Sequence, residues 1–198
     1  MLKMNPRTIA AAAVATLALA VPASASAESF GSKLARNIGP SNAGTDGQPC
    51  FKGMPGKCTR VMMEGYTNGP GVGKPKAPHD GKIDKLKIIA QGPGSFRPVL
   101  AKVRPGPEKA KVVRRGPKLR YAGQQGGGQR YDIEKFNVNI RVKKGEYLAI
   151  ESRRTSFLRC SSGGTNQLLF QPALQLNDPF ASATGSDGCW LLLEAVYD

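Results

Sequence analysis

Between Tyr131 and Val142 the chain places Phe136, Val138, Ile140 and Val142 two residues apart. Successive side chains of a β-strand point to opposite faces, so this spacing suits a strand that buries one face and wets the other. A helix brings together residues three and four apart and would scatter these four around its axis. The same period returns with Leu86, Ile88 and Ala90, with Val99, Ala101 and Val103, and with Leu148 and Ile150. Further strand candidates are Thr59 to Tyr66 (Val61 and Met63 on one face), Lys111 to Arg114, Gln167 to Phe170 and Cys189 to Tyr197. Asn68-Gly69-Pro70, Asp80-Gly81 and Gly145 punctuate the runs as turn signals. Short alternating strands separated by turns predict an antiparallel sandwich or barrel. Its core is expected to hold Leu86, Ile88, Val138, Ile140, Leu148, Ile150, Leu191 and Leu193.

Helix is confined by composition. The chain has 24 Gly and 15 Pro in 198 residues, about a fifth of the total, against a usual share near 12%. No window after residue 40 shows a helical apolar face. Phe30, Leu34 and Ile38 recur at i, i+4 and i+8 and predict either one short helix ended by Gly39-Pro40 or a mobile leader. Trp190 to Tyr197 is apolar on both faces, so a central position is expected, with the second face covered by a loop or by the N-terminal segment.

Residues 1–27 have the parts of an export signal. Lys3 and Arg7 precede the apolar run Ile9 to Val21, Pro22 ends it, and Ala25-Ser26-Ala27 supplies small residues for cleavage. The expected product is a secreted chain of residues 28–198, with 28–57 as a Gly/Pro-rich leader containing a local disulfide loop and 58–198 as the folded domain. Export permits disulfides. Four cysteines allow three pairings. Cys50 with Cys58 closes a seven-residue segment containing two glycines and a proline, and leaves Cys160 with Cys189. Zinc is disfavoured, because there are no C-x2-C pairs and the chain has a single histidine.

Three stretches resemble a group of exported bacterial jelly-roll-like β-sandwich proteins: Asp80 to Ile88, Val142 to Ile150, and Leu169-Phe170-Gln171-Pro172. The resemblance spans residues 58–198 and implies an antiparallel sandwich of jelly-roll type and export. It implies no activity. Leu86 stands where that group leads one to expect an aromatic residue, and the basic middle of this chain is a further difference.

Charge is the remaining functional signal. The formal net charge is +15. Residues 81–135 carry 14 Lys and Arg against four Asp and Glu, a net +10. The densest part is Lys102, Arg104, Lys109, Lys111, Arg114, Arg115, Lys118, Arg120 and Arg130. Of these, Lys111, Arg114, Arg115, Lys118, Arg120 and Arg130 are the candidate contacts for a polyanion such as an anionic wall polymer, an acidic polysaccharide or extracellular DNA. The competing reading is a solvated basic surface. Tyr121 and Tyr131 flank the glycine loop Gly123 to Gln129, which lacks G-x-x-x-x-G-K-[ST] and so predicts no nucleotide site. An alternative function is a secreted carbohydrate-active hydrolase using a pair among Asp132, Glu134, Glu146 and Glu151. No spacing singles out such a pair, and no cofactor or metal motif is present. The leading expectation is a non-enzymatic binding or structural module.

Overall fold

The computed structural model describes residues 28–34, 50, 56–63, 73–90, 92–106, 108–123, 132–153 and 160–197. These residues contain strands and no helix. Two antiparallel sheets face each other across an apolar core. The smaller sheet has the order β1-β12-β3-β7, made of β1 (Ser29–Gly31), β12 (Leu193–Tyr197), β3 (Gly81–Ile88) and β7 (Glu134–Val142). The larger sheet runs β10-β5-β4-β8-β2-β9-β11: β10 (Ala181–Ser182), β5 (Lys109–Arg115), β4 (Gly94–Arg104), β8 (Tyr147–Ser152), β2 (Cys58–Met62), β9 (Cys160–Phe170) and β11 (Gly185–Leu191). The short β6 (Leu119–Tyr121) pairs with the start of β4. The larger sheet is curled into a half-barrel.

Most of the period-two positions fill the space between the sheets, whereas Val99, Ala101 and Val103 face the other way. Leu86 and Ile88 from β3, Ile140 and Val142 from β7, and Leu193 and Ala195 from β12 meet Phe96, Leu100, Leu148 and Ile150 of the larger sheet. Of the eight residues expected in the core, seven are buried. Val138 is half-buried, because β7 is the edge of its sheet and only its last residues lie deep. A second cluster lies on the outer face of the larger sheet, where Val61, Val99, Val112, Leu168 and Phe170 pack against Leu174 from the segment after β9. The larger sheet is therefore apolar on both faces, which suits its curl and explains why several of its strands alternate weakly in sequence.

Several sequence expectations are corrected. Phe30 lies in a strand, not in a helix: Ser29–Gly31 pairs with Val196, Ala195 and Glu194, and Phe30 enters the core beside Tyr197. The edge of β12 offers unpaired backbone groups, and pairing with them overrides the weak helical spacing. Ile38 lies outside the described residues. The closing run Cys189 to Tyr197 is two strands rather than one. Leu191 ends β11 in the large sheet, Leu193 begins β12 in the small sheet, and Leu192 packs with Leu34 and Ile89. The coverage of its second face by the N-terminal segment is as expected, and the buried Glu194 accepts the Leu34 N–H at 3.3 Å. β9 begins at Cys160, seven residues before the expected Gln167, because Cys160, Ser161 and Ser162 pair with Leu191, Trp190 and Cys189. Backbone pairing needs no apolar side chains. β2 ends at Met62, with Met63 beyond it, and the rest of the expected strand lies outside the described residues.

The turn between β7 and β8 forms as expected. Gly145 has φ of 80°, and the Glu146 N–H donates to Lys143 O at 3.0 Å. The positive φ calls for glycine. The Cys50–Cys58 disulfide forms. The side chains of Cys160 and Cys189 lie outside the described residues, but the β9–β11 register sets Cys160 opposite Leu191 and Cys189 opposite Ser162, two positions apart across one strand pair.

Candidate functional site

At one end of the larger sheet β4, β8 and the residues before β2 border a cleft of about 830 Å³. Lys57, Arg97, Lys118 and Arg153 line it, with Glu151 and Ser152 at its wall. Each cation reaches the cleft for a local reason. Lys57 precedes Cys58, which the disulfide and the pairing of Cys58 with Ser152 hold in place. Arg97 lies directly across from Glu151 on β4, and its NH1 donates to Gly116 O at 2.8 Å. That contact needs glycine at 116, because a Cβ there would come within 2.5 Å of Ile140 Cδ1 and 2.8 Å of Pro98 Cγ. Lys118 and Arg153 are exposed at the rim.

Glu151 is buried and already neutralised. Its Oε1 accepts from Lys57 Nζ at 2.8 Å, and Arg115 NH2 lies 3.0 Å from its Oε2. Lys118 and Arg153 form no ion pair among the described residues. Among the described residues the cleft thus presents four cations and one carboxylate, with the carboxylate's charge taken up on its own wall. Such a cleft favours an anion and focuses its field on the opening.

The sequence-predicted contacts do not form one patch. Lys118 lies in the cleft, and Arg115 lies beneath it, where its NH2 also donates to Leu174 O at 3.1 Å. Arg114 is directed elsewhere: its Nε and NH2 donate to Glu146 Oε2 and Oε1 at 3.2 and 3.3 Å. Lys111 lies beside Phe180, its Nζ 5.1 Å from the ring centroid. Arg120 is exposed on β6, opposite Ser95. Arg130 lies outside the described residues. Lys57, Arg97 and Arg153 were not singled out in sequence. The one available signal was the adjacency of Lys57 to a disulfide cysteine.

Three of the candidate acidic residues, Glu134, Glu146 and Glu151, have structural partners. Trp190 and Tyr121 are buried in the core. Burial, with a smaller contribution from Glu134, pushes the Tyr121 phenol up to about 12. Tyr66 and Tyr131 lie outside the described residues. Glu134 accepts the Ala122 and Gly123 N–H groups at 3.0 and 2.7 Å. Glu146 accepts the Lys143 N–H at 2.9 Å as well as Arg114. Asp132 is exposed. Arg60, fully buried on β2, is 3.4 Å from Asp187; burial pushes its guanidinium down to about 10, and Asp187 opposes that shift.

Among the described residues no group of three His, Cys, Asp or Glu is placed to hold a metal ion. The fold defines the class, an all-β protein of two antiparallel sheets. Comparison with protein-family models, curated proteins and solved structures finds no match.

Proposed function

We propose that this chain is an exported, non-enzymatic binding module that contacts an anionic cell-surface or extracellular polymer through its cationic surface. The observation that carries this reading is the cleft in which, among the described residues, Lys57, Arg97, Lys118 and Arg153 surround one internally neutralised carboxylate. The cationic n-region, apolar run and small-residue site of residues 1–27 support a cleaved export signal. The chain passes between the two sheets at β1 to β2, β2 to β3, β3 to β4, β6 to β7, β7 to β8 and β11 to β12, as a sandwich requires, and a jelly-roll arrangement is part of this reading.

The test is a binding panel of polygalacturonate, a polyol phosphate and duplex DNA, each at low and physiological salt, with the parent chain and a Lys118→Ala/Arg153→Ala variant. Binding by the parent should weaken steeply with salt, since exposed charges are screened over about 8–10 Å at physiological ionic strength. The variant should bind less tightly while keeping its stability within about 0.5 kcal/mol, as expected for exposed side chains outside the packing. Equal binding by parent and variant across the panel would remove the cleft from the function.

A further inference from the structure

Beyond the cleft, the inner face of β4 leaves the core after Leu100. The next two residues on that face are Lys102 and Arg104, both exposed, while the intervening Ala101 and Val103 belong to the outer-face cluster. The β4–β5 register sets Lys102 directly opposite Lys111 and Arg104 directly opposite Lys109. Four cations therefore occupy a two-by-two grid, about 5 Å apart across the strands and about 7 Å along them. Beyond β5, at the start of β10, Phe180 completes the grid: the Arg104 guanidinium carbon lies 4.2 Å from its ring centroid and Lys111 Nζ lies 5.1 Å from it. Among the described residues none of the four cations forms an ion pair with a carboxylate.

We propose that this platform is a second polyanion site, which takes an acidic polysaccharide laid across the strands. The proposal shares with the cleft reading only the premise that the partner is anionic. Like charges directly opposite each other on paired strands destabilise the sheet. Two such pairs in succession work against the fold, and a basic surface kept for solubility gains nothing from that register. An anionic chain removes the repulsion and turns the grid into four points of attraction. Phe180 holds the Arg104 guanidinium in place by a cation–π contact, so less freedom is lost when an anion binds.

The shape of the platform argues against recognition through bases and favours a polymer held by its charges alone. Reading duplex DNA by its bases requires an element that enters a groove, and this is a sheet face. Single strands are bound through bases stacked on open aromatic faces, whereas the ring of Phe180 lies under Arg104. An acidic polysaccharide presents regularly repeated single negative charges and needs no stacking.

The experiment uses the full chain, with Lys102→Gln/Lys109→Gln removing one cation from each opposed pair and Lys118→Ala marking the cleft. Probes are long polygalacturonate, its trisaccharide, and single- and double-stranded DNA. The double variant should bind long polygalacturonate about 2- to 30-fold more weakly, from two exposed charge contacts. Its affinity for the trisaccharide should be unchanged, and its melting temperature unchanged or higher because repulsion is relieved. Unchanged polymer affinity in the double variant, with a loss in Lys118→Ala, would overturn the platform and leave the cleft standing. A loss in the double variant alone would do the reverse. DNA bound as tightly as polygalacturonate of equal charge would overturn the polysaccharide assignment, and a fall of several degrees in melting temperature would overturn the argument from repulsion. Lys102→Gln alone, on an exposed side chain, repeats the affinity test if the double variant does not fold.

Discussion

Replacing Glu146 by Gln separates structural from catalytic use of the most deeply buried acidic side chain described. Glu146 is 1% exposed and sits at the end of the β7–β8 turn. Its carboxylate accepts from the Lys143 N–H at 2.9 Å and from the Arg114 Nε and NH2 at 3.2 and 3.3 Å. Glutamine keeps one oxygen for the turn but turns an N–H₂ group toward the guanidinium. Hydrogen bonds to charged groups contribute about 1.5–3 kcal/mol each. Breaking one side of a buried ion pair costs about 3–5 kcal/mol. The Arg114 side chain is 29% exposed, so water takes over part of its solvation and the lower end applies. The expected loss is about 2–3 kcal/mol. For a chain of this size that corresponds to a fall of about 4–12 °C in melting temperature. Urea unfolding and a thermal melt on parent and variant measure it. A loss under about 0.5 kcal/mol would refute the assignment of Glu146 to the turn. If such a stable variant also lost hydrolysis of a polysaccharide that the parent cleaves, Glu146 would become a catalytic acid.

The single histidine supplies a pH test. Both ring nitrogens of His79 face acceptors, Asp80 O at 2.8 Å and Glu28 Oε2 at 2.7 Å, and this favours the doubly protonated ring. Its pKa is accordingly raised, first by the Asp80 carbonyl and then by Glu28. Because the folded value is the higher one, the clasp contributes fully below the unfolded value of about 6.5 and is lost as pH rises through the folded value. A proton NMR titration should place the midpoint above 6.5, and Glu28→Gln should lower it; a midpoint at or below 6.5 in the parent would refute the clasp. Replacing Cys50 and Cys58 by Ser should cost about 2–3 kcal/mol from loop closure alone, read by urea unfolding, and a cost near zero would refute that account. Non-reducing peptide mapping should recover Cys160 joined to Cys189, and a peptide joining Cys58 to Cys160 would contradict it.

How far each element could be read in advance depends on whether its cause is local. Alternation in β3 and β7 comes from one buried face per strand, so Leu86 and Ile140 announce themselves by spacing alone, whereas β8 is buried on both faces. The Gly145 turn is equally local, since one residue must take a positive φ. The polar start of β9 carries no such mark. Ser161 and Ser162 are strand residues because Trp190 and Cys189 lie beside them, and backbone pairing is indifferent to side-chain polarity. The candidate site divides the same way. The abundance of cations in residues 81–135 is a property of the sequence. Their allocation is not: adjacent Arg114 and Arg115 serve different carboxylates, Glu146 and Glu151, and of the described members of the predicted group Lys118 lines the cleft.

By itself, then, the sequence determines an antiparallel all-β chain, a local disulfide between Cys50 and Cys58, and an excess of positive charge in the middle third. Each of these follows from residue type and short spacing. The tertiary structure alone decides that the closing run changes sheets at Leu192, that Phe30 completes the small sheet, and that Lys102 faces Lys111 while Arg104 faces Lys109. Those outcomes depend on register between segments distant in the chain or on competition for a sheet edge. A shift of one residue in register would move every side chain to the opposite face.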